Sequence, residues 1–69
     1  MNPKLEFDIS MFIRTVGEYI LMEYGDFYEQ FCSTNIFDFI GSYYMGGSNV
    51  PDTARYVVEL IKMNNKTQN

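Results

Sequence analysis

The sequence predicts an all-α fold, a compact bundle of three to four short helices with an extended N-terminal arm. Apolar residues recur at spacings of three and four over most of the chain, turn-forming residues cut that pattern into short pieces, and aromatic side chains concentrate in the middle. Nine of the twelve aromatics fall between Tyr19 and Tyr44: Tyr19, Tyr24, Phe27, Tyr28, Phe31, Phe37, Phe39, Tyr43 and Tyr44. With 69 residues the chain has room for one domain and one core. It spans 1–69, with 1–9 read as the arm and 64–69 as a frayed polar tail.

Taken in order, Lys4 to Ser10 alternates, Leu5, Phe7 and Ile9 on one side and Glu6 and Asp8 on the other, the period of a half-buried strand. No second strand pattern exists to pair with it. The segment is therefore expected to pack as an extended arm on the helices, the alternative being a strand paired with another chain. From Ile9 the period becomes helical through Phe12, Ile13, Val16, Ile20 and Tyr24, giving a first helix over about Ser10 to Tyr24. Gly17 inside it suggests close approach of another helix, with a tolerated weakness of the helix as an equally ordinary explanation. Glu18 stands one turn from Arg14 and can pair with it.

Gly25 reads as a left-handed stop, and Asp26 with Glu29 three residues on reads as a capping box opening a second helix over Phe27 to Cys32. Asn35 and Asp38 repeat that pattern at the head of a third helix reaching Tyr44, with Ile36, Phe37, Ile40 and Tyr44 inward. Met45 to Asn49 is expected to be an exposed loop. Asn49 or Val50 then caps a fourth helix with Pro51 in its first turn and Ala54, Val57, Val58 and Ile61 as its apolar stripe. Arg55, Glu59 and Lys62 face outward there, placed to pair along the helix.

Composition excludes much. The single Cys32 forbids an internal disulfide, the absence of His removes the commonest zinc ligand, and no acid cluster has the spacing of a calcium loop, so no metal and no cofactor are expected. Without a His to activate it, Cys32 reads as a small buried hydrophobe. Gly41 to Ser48 matches the phosphate-loop pattern at its glycines and final Ser, but Gly47 stands where that pattern requires Lys, so a helix stop is the reading adopted. No catalytic residue is assigned, and the chain is not expected to be an enzyme.

Charge points to a class of partner. The formal net charge is -4, and from Thr15 to Ala54 there are six acids (Glu18, Glu23, Asp26, Glu29, Asp38, Asp52) and no Lys or Arg. A phosphate-binding surface needs clustered cations, so direct nucleic-acid binding is not expected, nor is adhesion to an anionic membrane. No apolar run spans a bilayer, Glu6 and Asp8 do not suit a secretory signal, and a cytoplasmic location fits best. Four of the acids stand in helix caps or first turns, where negative charge stabilises a helix by about 0.3–1 kcal/mol each.

These features carry two functional expectations. The first is a non-enzymatic acidic inhibitor or adaptor that binds the basic surface of a larger, nucleic-acid-handling protein. Small acidic anti-CRISPR or anti-restriction proteins of phages and mobile elements are the analogy, resting on size and charge alone. Its partner-binding residues would be Glu23, Tyr24, Asp26, Tyr28 and Glu29 around one helix junction, with Tyr43; at least one of Tyr28 and Tyr43 should be exposed. The second is a structural or regulatory subunit that assembles through apolar helix faces, as a homo-oligomer or on a larger protein, with acids serving capping and solubility.

Overall fold

The computed structural model describes residues 3–67. Along this span α1 covers Pro3–Glu23, a 3-10 turn covers Gly25–Phe27, and α2 (Tyr28–Ser33), α3 (Phe37–Met45) and α4 (Val50–Thr67) follow. The expected all-α bundle is present, and no strand occurs among the described residues.

The extended arm is corrected: residues 3–9 form the first turns of α1, and the remainder of the expected arm, residues 1–2, lies outside the described residues. Leu5 and Ile9 share a face in either conformation, since four residues are two strand repeats and about one helical turn. Phe7 separates the two. A strand would align it with Leu5 and Ile9, whereas a helix turns it away, and Phe7 is 64% exposed while Ile9 is buried. Pro3 occupies the first helical position, where its missing N–H costs nothing. At the other end, the tail expected to fray over 64–69 is helical through Thr67, and its residues 68–69 lie outside the described residues. A packed helix gains one bond for each residue added, and α4 is anchored one turn earlier by buried Ile61.

The core is assembled from Val16 and Ile20 of α1, Phe31 of α2, Ile36 at the head of α3 with Ile40 inside it, and Ala54, Val57, Val58 and Ile61 of α4. The expected α4 stripe is buried in full. Ile9 is buried as well, and a Cβ added at Gly41 of α3 would stand 3.7 Å from its Cδ1. Each buried Val, Ile or Phe side chain among them contributes roughly 1.5–3 kcal/mol through its removal from water. Phe37 and Tyr44, expected inward, are half-buried, and the Tyr44 ring packs 5.2 Å from that of Phe12. Gly17 does mark a close approach: a Cβ there would lie 2.6 Å from Cε2 of Phe31.

Helix ends follow the expectations unevenly. Gly25 is not a left-handed stop, because the only positive φ among the described residues is at Gly47 (φ 83). There, α3 ends in a Schellman arrangement, with the amide of Ser48 donating to Tyr43 O (2.9 Å) and that of Gly47 to Tyr44 O (3.1 Å). Neither expected capping box forms. The residue flanking α2 is Phe27 and that flanking α3 is Ile36, and neither makes a side-chain cap bond. Asp26, Glu29, Asp38 and Asp52 nonetheless stand in first turns, so their interaction with the helix dipoles remains.

Asn49 is the cap that does form: its Oδ1 accepts from the Asp52 amide at 2.8 Å. Behind it Thr53, fully buried, donates to Asn49 O at 2.7 Å and lies 2.9 Å from Ser48 Oγ. Asn49→Ala is expected to destabilise the domain by about 1 kcal/mol, read as a lower urea midpoint with an unchanged slope. Asn49→Asp should retain most of that stability, because a carboxylate oxygen accepts the same amide.

Candidate functional site: an acidic helix junction

The junction between α1 and α2 is a folded turn. As α1 ends, the Tyr24 amide donates to Ile20 O (2.7 Å) and the Phe27 amide to Tyr24 O (2.8 Å), so the chain passes through the 3-10 turn without an extended residue at its entry. Buried Ile20 and Phe31 anchor the two sides. Between them, Glu23, Asp26 and Glu29 are all exposed. They are neighbours through chain continuity, and Asp26 and Glu29 are free of the cap bonds expected for them.

The tyrosines of the junction are half-buried. The Tyr24 ring packs on Tyr19 at 6.5 Å and the Tyr28 ring lies nearly parallel to Phe31 at 6.2 Å. Tyr28 holds its proton above the ordinary tyrosine range, first through its interactions with the neighbouring Cys32 side chain, then through partial burial and the Glu18 carboxylate. Cys32, expected to be buried, is exposed. It stands one turn after Tyr28, and that turn of α2 faces outward while Phe31 takes the inner position.

Tyr43 belongs to a different cluster. Its ring meets Phe39 edge-on at 5.1 Å and stacks on Tyr56 of α4 at 4.8 Å, and the Arg55 guanidinium lies 5.2 Å from the Tyr56 ring. The expectation that at least one of Tyr28 and Tyr43 is exposed is corrected, since both are half-buried. Ring partners supplied by neighbouring helices cover more of each than helical spacing alone implies.

Folding also brings in charges that the sequence keeps apart. Lys62 of α4 places its ammonium 5.7 Å from the Phe27 ring centre, so the junction is not without a cation nearby. Arg14 and Glu18 pair as expected, at 3.4 Å. Arg55 pairs backward with Asp52, at 3.7 Å. Such exposed pairs contribute little, typically below about 1 kcal/mol.

Other surfaces show apolar character that the reading of the sequence missed. Phe7, Met11, Leu21 and Met22 of α1 are exposed, Met22 at 79%. Their signal was present as recurrence off the core stripe, with Phe7 and Met11 one turn apart. An open groove of about 460 Å³ separates the start of α1 from α3, lined by Leu5, Ile9, Phe37, Gly41 and Met45 among others. Gly41, the first glycine of the phosphate-loop match, lies buried within α3, where a strand-to-helix cradle would have to begin. Among the described residues no group of three or more His, Cys, Asp or Glu side chains is placed to hold a metal, and no helix is long and apolar enough to cross a membrane.

Fold and surface together define a small all-α domain whose first helix junction displays uncapped carboxylates beside half-buried tyrosines. Compared with protein-family models, curated proteins and solved structures, the chain matches none.

Proposed function

We propose that the protein is a non-enzymatic inhibitor or adaptor that presents its acidic junction to the basic surface of a larger, nucleic-acid-handling protein in the cytoplasm. The observation that carries this reading is the exposure of Glu23, Asp26 and Glu29 around one helix junction, where Asp26 and Glu29 make no cap hydrogen bond. Carboxylates held by a backbone amide are already partly neutralised. These retain their acceptor capacity for Arg or Lys of a partner. Tyr24 and Tyr28 add apolar ring surface and a hydroxyl each at the same junction, a pairing of groups common at protein interfaces. Tyr43 is assigned to the α3–α4 ring cluster in this reading.

The test is affinity capture of the cytoplasmic partner by the wild type and by the Glu23→Lys, Asp26→Lys, Glu29→Lys triple variant, at low and high salt. Charge complementarity of this kind raises association rates by about 10- to 1,000-fold at low ionic strength. The wild type should therefore capture a basic protein that salt displaces, and the triple variant should not. Equal capture by a triple variant with wild-type circular dichroism would remove the junction from the interface.

A further inference from the structure

Phe27 stands at the centre of the junction, the last residue of its 3-10 turn and the residue that flanks α2, with Asp26 immediately before it and Glu29 two residues on. Its ring is half-buried and packs on the core, so the fold holds it in place. The group over that ring is the Lys62 ammonium, 5.7 Å from its centre. Lys62 itself is exposed, and buried Ile61 beside it in the chain fixes where α4 presents it.

Two features make this contact a loose seat rather than a structural tie. Its length falls near the outer limit of about 6 Å at which an aromatic face attracts an ammonium. Lys62 also belongs to neither of the ion pairs among the described residues, Arg14 with Glu18 and Arg55 with Asp52. Helical spacing allows it a pair with Glu59, three residues earlier, and the structure shows the ring contact instead. A cation therefore already rests on this ring, beside carboxylates that hold no cation of their own.

We propose that the Phe27 ring is the seat of an arginine from the partner, and that Lys62 occupies this seat until the arginine displaces it. The inference rests on the acidic junction being the partner surface. A guanidinium suits the place better than the resident ammonium, because it stacks flat on a ring while its fork of donors reaches a carboxylate. Asp26 and Glu29, without cap hydrogen bonds, supply the acceptors. A lysine of the partner gains nothing on the ring by replacing a lysine already there. Lys62 thus acts as a built-in competitor that favours arginine-bearing surfaces over lysine-bearing ones.

Hexa-arginine and hexa-lysine peptides are the probes, titrated at low ionic strength into the wild type, Lys62→Met and Lys62→Arg, with the Lys62 side-chain methylene signals of the wild type followed by NMR. Hexa-arginine should bind the wild type more tightly than hexa-lysine does, and should return the Lys62 signals from ring-shifted upfield positions to those of an exposed lysine. Lys62→Met should bind hexa-arginine about two- to fivefold more tightly than wild type, the factor that an exposed contact of this kind is worth. Lys62→Arg should bind it more weakly, since its own guanidinium holds the ring more firmly at unchanged net charge. Net charge alone would leave Lys62→Arg equal to wild type. Both substitutions alter an exposed position, and circular dichroism verifies their folding. Hexa-arginine binding with the Lys62 signals unmoved, a Lys62→Met protein no tighter than wild type, or a Lys62→Arg protein no weaker would each overturn the seat and leave the acidic junction standing. Binding of neither peptide to any of the three proteins would overturn the junction and the seat together.

Discussion

Phe31→Ala is expected to lower the unfolding free energy by about 3–5 kcal/mol, the range for removing a buried aromatic ring. A domain of this length has a total stability of roughly 3–10 kcal/mol at 0.05–0.15 kcal/mol per residue. The variant should be partly or wholly unfolded at room temperature. Its effect is large because α2 has six residues and Phe31 is the one buried among them. A helix that short does not persist alone in water, so its position depends on that ring against Gly17, Val16 and Ile20. Thermal and urea unfolding followed by circular dichroism measure the loss. Phe7→Ala, at an exposed ring, should stay within about 0.5 kcal/mol of wild type. A cost below about 1 kcal/mol for Phe31→Ala would contradict the packing of α2 described above.

The contrast between those two phenylalanines also shows how much the sequence revealed. Where several apolar residues repeat at helical spacing, as in Ala54, Val57, Val58 and Ile61, the buried face was legible in full. Local features were legible too: the Arg14–Glu18 pair, Asn49 as one of two candidate caps of α4, and Gly17 as one of two readings, a close approach. The start of α1 was misread because its three apolar residues at 5, 7 and 9 satisfy the strand period, and only the surroundings of Phe7 show that it faces away. The capping boxes failed for a different reason. A box needs its first residue extended at the helix entry, but the Phe27 amide bond to Tyr24 O folds the chain before Asp26 could serve that role. At the junction, the positions of Glu23, Asp26 and Glu29 followed from chain order. What did not follow was Lys62 over Phe27 and Tyr43 on Tyr56, contacts between residues far apart in sequence that no local pattern encodes.

Gly17→Ala is expected to destabilise the protein, although the same change in an open helix stabilises by roughly 0.5–1 kcal/mol. The added methyl would stand 2.6 Å from Cε2 and 3.1 Å from Cζ of Phe31, closer than van der Waals contact permits. Relief is limited, because that ring is buried and lies against Tyr28 on α2. Overpacking of this kind costs about 1–3 kcal/mol, which exceeds the helical gain over most of that range. The decisive measurement is a double-mutant cycle with Phe31→Leu. Leucine lacks the Cε2 and Cζ atoms that meet the new methyl, so in that background the clash is removed and the helical gain is left. Gly17→Ala should then change sign, stabilising the Phe31→Leu protein by up to about 1 kcal/mol. If Gly17→Ala were equally destabilising in both backgrounds, the glycine would be required by something other than the Phe31 ring. A sign reversal would establish that α1 carries glycine at this position so that α2, and with it the acidic junction, can lie close against the first helix.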